Sequence, residues 1–379
     1  MSTVQSQPYD AVAEQIATRT EEEARYGLSQ WQLMWRKFLR SRAATIGGSI
    51  VILFYIMMLF SNFLAPYGGD QRFVTYLFAP PQGLHWDPQN GVYIYGIGAK
   101  RDPETLAMVF TTDTSRIIPV QFLVHDQPYT LFGVIETDVH LYGVADKNIG
   151  VFLLGTDRQG RDMVSRILIG SQISLTIGLV GVFLSLVLGS VLGVVSGYYG
   201  GCVDNIMQRT IEVIRSFPSI PLWMALAAAL PQHWSMEQMY FGITIILAFI
   251  GWTWLARQLR GKVLAVREEE FVMAAQLSGA SDRWVVFRHL IPAVFGHIIV
   301  IATLQMPRMI IAESTLSFFG VGLRPPTISW GVLLQEAQNL HTIRQAPWLL
   351  APALFIAMAV LALNFFGDGL RDAADPYSR

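Results

Sequence analysis

The sequence predicts an all-α membrane protein with six transmembrane helices and a small β-rich extracytoplasmic insertion. Hydrophobic residues make up 52% of the chain and charged residues 15%, whereas an ordinary soluble domain has about 25% charged residues. Six mainly apolar stretches approach the roughly 20 residues that a helix needs to cross a bilayer. Between the first stretch and the second lies a long polar region with strand-like alternation.

The apolar stretches are bounded by turn-forming or charged residues. Ile167–Val203 carries no charged residue over its whole length, so it is predicted to hold one span and an apolar approach helix. Pro218 and Pro221 make the third span irregular near its start, because proline removes a backbone donor. The predicted spans lie, in order, within Ala43–Leu64, Ile167–Val203, Ser216–Met236, Gln238–Ala256, Leu290–Leu323 and Ala346–Gly367.

The distribution of basic residues predicts the orientation of the chain, because Lys and Arg in short loops stay on the cytoplasmic side. The loop between spans three and four has no Lys or Arg, whereas six follow span four. Both termini are therefore predicted to be cytoplasmic. The six residues are Arg257, Arg260, Lys262, Arg267, Arg283 and Arg288.

These spans divide the chain into functional segments. The predicted segments are a cytoplasmic tail or surface helix (1–42), the first span (43–65), the extracytoplasmic insertion (66–166), a five-helix core (167–370) and a cytoplasmic tail (371–379). Within the insertion, short alternating runs predict strands at Val92–Tyr95, Ile118–Val124 and Tyr129–Ile135. It is interpreted as a contact for a substrate receptor or, alternatively, as a lid or scaffold.

Small residues recur every four positions in the second span. Ser185, Gly189, Gly193 and Gly197 align on one helix face, and this spacing lets another helix backbone approach closely. We interpret the stripe as a helix-packing surface.

A charged, helix-forming segment, residues 267–292, lies between spans four and five. Gly279 is placed to end a first helix in a left-handed conformation, and Ser281 or Asp282 can cap a second. The predicted shape is helix, turn, helix, although an ordinary interhelical loop is the alternative. The first helix presents a nearly flat stripe formed by Phe271, Ala274, Ala275 and Ser278.

Other functional classes receive little support from the residues. A net charge of −1 gives no general attraction to nucleic acid, and the single cysteine, Cys202, excludes an intramolecular disulfide framework. Gly279 to Asp282 superficially resembles the Gly-x-Ser of a membrane serine protease with His297 as base, but the serine lies in a polar loop without an oxyanion site. The seven histidines show no metal-ligand spacing. No catalytic residue and no metal ligand is assigned.

Two ionisable residues lie near the membrane interior in the fifth span. Arg308 and Glu313 are five positions apart, which places them about 140° apart around a helix. They are therefore not a same-face pair. Either can line the pathway or its gate; for Glu313 the alternative is a polar group satisfied by backbone at the outer end of the span.

Three sequence motifs resemble one family of membrane proteins. Ala274-Ala275, Gly279, His289 and Pro292 resemble the EAA loop of binding-protein-dependent ABC importer permeases. Leu154–Asp162 is similar to the signature before span two in the peptide, opine and nickel branch. Glu313–Gly320, followed by Ser329-Trp330-Gly331, is similar to the same branch's run after span five.

The resemblance covers residues 36–51 loosely and 154–375 closely. It implies a type I ABC importer permease fold, the C-type half of a heterodimeric channel. It also implies partners: a homologous permease subunit, two ATP-binding subunits and an external solute-binding protein. ATP and Mg²⁺ would be bound by the ATPases, which agrees with the absence of a GxxxxGK[ST] phosphate loop here.

By position, the resemblance assigns ATPase coupling to a set of residues in the segment 267–292. Met273 departs from the family pattern, because it occupies the motif's Glu position. The assigned residues are Phe271, Ala274, Ala275, Gly279, Ser281, Arg288 and His289.

Two questions stay open from the sequence. The branch handles peptides, opines, glycosides and nickel chelates, and the residues of one half-channel do not choose among them. An ion-coupled secondary transporter is the alternative class, and it would show repeated halves with paired mid-membrane charges. No such repeat is visible in the sequence.

Overall fold

A computed structural model describes residues 30–101, 103, 108–146 and 148–374. Most of the predicted N-terminal tail and the end of the C-terminal tail lie outside these residues. The described helices are, in order, α1 (Gln30–Arg40), α2 (Arg42–Leu59), α3 (Ser61–Leu64), α4 (Met163–Tyr199), α5 (Gly201–Ser216), α6 (Ser219–Ala228), α7 (Met236–Val266), α8 (Glu270–Leu277), α9 (Asp282–Val285), α10 (Ile291–Phe318), α11 (Trp330–Gln335), α12 (Leu340–Gln345) and α13 (Ala351–Ala374).

Among the described residues, five helical segments are long and apolar enough to cross a membrane, and there are six if a bent helix pair is counted as one span. The five contain α2, α4, α7, α10 and α13, and the bent pair is α5 with α6. The all-α membrane fold with a small strand-rich insertion is thus confirmed.

The third span was predicted at Ser216–Met236 with an irregular start, and the structure differs in where the span begins. It starts at Gly201, directly after α4, and bends by 84° between α5 and α6. Phe217 and Pro218 are extended at the bend, because proline lacks an N–H and disfavours a helical residue before it. The predicted approach helix is also wrong as a separate element, since α4 runs unbroken from Met163 to Tyr199.

Helix α4 runs from one end of the helical bundle to the other. Its 37 residues correspond to about 55 Å of helix. At its start, Gly170 lies against Ile328 and Ser329 and follows the insertion; at its end, Gly197 lies against Arg260 and Val263. The insertion and the segment 267–292 therefore lie at opposite ends of the bundle.

The small-residue stripe of α4 lies against α7 at close range. A Cβ atom on Gly193 would come within 2.6 Å of the Ala256 carbonyl oxygen, and one on Gly189 within 2.9 Å of the Trp252 carbonyl oxygen. The Ser185 hydroxyl donates to the Ala248 carbonyl over 3.2 Å. The absence of a side chain at the two glycines is what allows the two backbones to approach this closely.

A second core forms where α2, α4, α10, α11 and α13 meet. The Trp330 side chain is fully buried there, and its indole nitrogen donates to the Ile167 carbonyl over 3.0 Å. Phe54 packs edge-on against Trp330 with ring centres 5.9 Å apart. This core holds the loop after α10 against the start of α4.

The insertion forms two small antiparallel sheets, one with the order β1-β2-β3 and one formed by β4 and β5. Two predicted runs cross strand ends. Ile118–Val124 spans the β3–β4 junction, and Tyr129–Ile135 spans the β4–β5 turn, where Phe132 and Gly133 adopt positive φ. The strands are β1 (His85–Asp87), β2 (Gly91–Arg101), β3 (Met108–Pro119), β4 (Gln121–Leu131) and β5 (Ile135–Gly143).

The α4–α7 contact yields a prediction for stability. Gly193→Val should lower the free energy of unfolding by roughly 1 to 3 kcal/mol, because the added carbon atoms overlap the α7 backbone. Thermal unfolding of the purified chain in detergent measures this effect. Gly261→Val is the matched control, because a Cβ atom at Gly261 meets nothing within 4 Å. Equal losses in both variants would contradict the packing role.

Candidate functional site

The segment 267–292, which we call the coupling segment, folds as a helix, a turn and a second short helix. Helix α8 ends at Leu277, and Gly279 follows with φ +82°. The Ser281 side chain accepts from the Trp284 N–H over 3.4 Å at the start of α9. A π-helical turn, Val286–Leu290, then joins α9 to α10. Glycine is required at the turn because L side chains rarely adopt this φ.

The inner face of the coupling segment packs on the ends of α4 and α7. Val272, Val285 and Leu290 are fully buried, and they join a cluster with Val194 of α4 and Val263 of α7. The coupling segment is therefore in direct packing contact with the ends of both helices.

Polar contacts link the coupling segment to the same end of α4. The Arg267 guanidinium donates to the Gly197 carbonyl over 3.0 Å. The Tyr198 hydroxyl donates to Asp282 over 2.9 Å, and the Gln276 amide lies 3.4 Å from the same hydroxyl. Sequence reasoning missed Tyr198, because nothing in its own neighbourhood shows that it meets residues about eighty positions later.

The outer face of the coupling segment exposes large apolar side chains. Leu277 is 90% exposed and Phe287 is 70% exposed. An exposed apolar surface of this kind is typical of contacts with another protein or with a membrane. The other large members are Phe271, Met273 and Trp284.

The two motif alanines do not lie in equivalent positions. Ala274 is exposed on α8, whereas Ala275 is half buried and packs against the cluster beneath. Ala274 therefore belongs to the accessible surface, and Ala275 allows α8 to lie close to the bundle. Met273, in the motif's Glu position, is also exposed, with Glu269 and Glu270 preceding it.

His289 lies between two aromatic side chains of the outer face. Its ring centre is 4.8 Å from that of Trp284 and 5.9 Å from that of Phe271. It therefore contacts both of these rings. Arg288, next to it, is exposed and carries its charge into the same surface.

Glu313 lies in a fully buried position among serine hydroxyls. Ser329 and Ser317 donate to its carboxylate over 2.8 and 2.9 Å, and Ser314 lies at 3.3 Å and Ser174 at 3.5 Å. The expectation that backbone groups satisfy Glu313 is therefore wrong: the partners are side chains from α4, α10 and the start of α11. Arg308 is exposed and separate from Glu313, as their helical spacing predicts.

The motif Leu154–Asp162 builds a buried ion network at the insertion end of α4. Asp157 accepts from the Arg161 Nε over 2.7 Å and also from Arg166. Arg161 contacts Glu336 over 3.1 Å, and burial raises the pKa of Glu336. The network joins the insertion to the loop after α11, and the sequence did not reveal it because Glu336 lies far along the chain.

Comparison with known proteins identifies the family. Residues 189–379 match the family model described as "binding-protein-dependent transport system inner membrane component". Residues 29–81 match the N-terminal transmembrane domain of oligopeptide transport permease C. The chain belongs to the binding-protein-dependent permease family.

Several relatives match this permease over nearly its whole length. The oligopeptide transport system permease protein OppC of Haemophilus influenzae is 33% identical over 367 residues, covering 97% of this chain and 94% of that protein. The dipeptide permease DppC of Lactococcus lactis is 32% identical over 364 residues, covering 94% and 93%. The glutathione permease GsiD of Pectobacterium atrosepticum is 30% identical over 348 residues, covering 91% of each.

A solved structure is also similar. A chain of the inward-facing methionine ABC transporter MetNI matches with a TM-score of 0.43 and 17% identity, covering 56% of this chain and 97% of that chain.

Family membership settles the class of the protein. The permease is a multi-pass inner-membrane transport subunit of an ABC importer, not an enzyme, and its family works with ATPase and binding-protein partners. The ion-coupled secondary transporter that the sequence left open is excluded by this assignment.

Asp162 is a buried carboxyl group just outside the spanning helix α4. Its carboxylate caps α4 by accepting from the Ser165 N–H over 2.7 Å and from the Ser165 hydroxyl over 2.8 Å. Burial raises the pKa of Asp162 to about 7, and Asp157 adds to this effect. The native state therefore binds more protons than the unfolded state between about pH 4 and pH 7.

Raising the pH through this window should lower the free energy of unfolding, by at most roughly 4 kcal/mol, and the loss should level off above pH 7. Asp162→Asn should remove this slope, because asparagine still offers an oxygen that caps the helix but does not titrate. Thermal midpoints measured from pH 4.5 to 7.5 in detergent test the difference. Parallel pH profiles for the two proteins would show that Asp162 is not the titrating group.

Proposed function

We propose that the permease forms one half of the pathway of a peptide importer, together with a homologous permease subunit. Two ATPases would dock on the cytoplasmic end, and an external binding protein would deliver the solute. Peptides are proposed as cargo because relatives that match nearly the whole chain are named for oligopeptides and dipeptides. Opines, glycosides and nickel chelates remain the alternatives from the sequence.

The observation that carries this proposal is the form of the coupling segment. Its outer face exposes Leu277 and Phe287 to solvent, while its inner face is fixed to α4 and α7 by buried side chains. An ATPase that grips the outer face would move the ends of these two helices, since Val272 packs with Val194 and Val263. ATP hydrolysis in a partner would thereby change the pathway.

The orientation supports this arrangement. The coupling segment and the end of α7 carry the basic residues that stay cytoplasmic, and the insertion lies at the opposite end of α4. We therefore propose that both termini are cytoplasmic and that the insertion is extracytoplasmic.

The insertion is well placed to contact the external binding protein. The Tyr67 N–H donates to the Ser165 hydroxyl over 3.1 Å, and His140 contacts the Ala65 carbonyl over 2.6 Å. These contacts fix the insertion to the ends of α3 and α4. A binding protein that contacts the insertion would thus be held at the entrance of the pathway.

Substitution of Ala274 tests the ATPase contact. Ala274→Trp should abolish co-purification with the ATPase subunits, because an indole on the flat part of the outer face prevents a close fit. Co-expression of the permease pair with tagged ATPases, followed by affinity purification, measures assembly.

Ala145→Trp is the matched control, because Ala145 is exposed on the insertion at the other end of the bundle. This variant should assemble normally. Normal ATPase recovery with Ala274→Trp would contradict the assignment of the outer face.

A further inference from the structure

Three arginines on three helices come together on one side of the bundle; we call them the arginine cluster. They are Arg215 at the end of α5, Arg257 in α7 and Arg308 in α10. Arg308 lies with its guanidinium carbon 4.3 Å from the centre of the Trp254 ring. Trp254 and Arg257 are three residues apart in α7, so they share a helix face.

Helix packing brings Arg215 to the same place. Ile211, one turn before Arg215, packs with Trp252 and Ala256 of α7. The positive charges of Arg257 and Arg308 both act on the Arg215 guanidinium. The three side chains are therefore electrostatic neighbours, although 93 positions separate the first from the last.

The cluster has positive charge without a matching acid. Among residues 30–101, 103, 108–146 and 148–374, none pairs with Arg215, Arg257 or Arg308 in an ion pair. The Arg257 Nε is buried and has no hydrogen-bond partner. Arg308 lies over the Trp254 ring, and an aromatic face leaves the N–H groups of a guanidinium available to an acceptor.

The depth of the cluster makes this charge unusual. Arg308 lies well inside the spanning helix α10. The residues on either side of it in this part of α10 pack against Gly251 of α7: a Cβ atom at Gly251 would come within 2.6 Å of both Gln305 and Met309. Arg215 lies two residues before the bend at Phe217 and Pro218. Charged residues at such depth face water-filled paths or a partner of opposite charge, and Arg215 and Arg308 are both exposed.

We propose that the arginine cluster is a binding site for the carboxylate of the translocated solute. Guanidinium groups bind carboxylates through paired, charge-assisted hydrogen bonds, and a free C-terminal carboxylate is the one anionic group that unmodified peptides share. This inference rests on the proposed function as a peptide importer. An acidic side chain of the partner permease is the competing occupant, and the test below separates the two.

Binding of tri-alanine and of its C-terminal amide to the assembled permease pair with its ATPases, without the binding protein, tests the site. Titration calorimetry measures the Kd of each. The acid should bind about tenfold more tightly than the amide, as expected for one charge-assisted contact. Arg257→Gln and Arg308→Gln should each weaken binding of the acid about tenfold and leave binding of the amide unchanged.

Arg209→Gln is the matched control, because Arg209 lies on the same helix as Arg215 but pairs with Glu212 over 2.7 Å; it should bind both compounds like the native complex. Equal affinity for acid and amide in the native complex, or equal effects of the arginine substitutions on both, would overturn the inference and favour a partner acid as the occupant.

Uptake of radiolabelled tri-alanine by proteoliposomes with binding protein and ATP is measured separately. If the native complex transports no peptide although it discriminates acid from amide, the proposed cargo is wrong and the carboxylate site stands.

Discussion

The close approach of α4 and α7 is the constraint on which the rest of the structure depends. The two backbones meet at Gly189 and Gly193, where any side chain beyond hydrogen would overlap the facing helix. The contact continues to Gly197, whose carbonyl accepts from Arg267 at the start of the coupling segment. The coupling segment is therefore packed on the ends of a tightly joined pair of helices.

Charge is held differently at the insertion end of this pair and in the arginine cluster. At the insertion end, Asp157 is buried with Arg161 and Arg166 in an ion network, and Glu313 is buried among serine hydroxyls. Buried charge that is paired in this way holds loops in place. The arginine cluster has no such partner among the described residues, and this contrast is the reason for assigning it to a ligand and not to the fold.

The sequence predicted features that depend on local physics. Gly279 and Ser281 were assigned from turn and cap preferences alone, and both have those conformations. Sequence-based prediction failed where interacting residues are far apart in the chain, and where charged residues interrupt the apolar pattern of a helix. The serines around Glu313 come from three elements. Helix α5 was missed because it contains four charged residues and therefore no long apolar stretch: Asp204, Arg209, Glu212 and Arg215. The motif residue Ala274 followed from the resemblance, but its exposure needed the structure.

The central claim is that the coupling segment faces the cytoplasm while the insertion faces the other side. Cysteine labelling tests it directly: Cys202→Ser removes the native cysteine, and Ser278→Cys or Ala145→Cys then places one thiol at an exposed position of the coupling segment or of the insertion. A membrane-impermeant maleimide should label the Ala145→Cys protein in intact spheroplasts and the Ser278→Cys protein only after lysis. Labelling of the Ser278→Cys protein in intact spheroplasts would contradict the account.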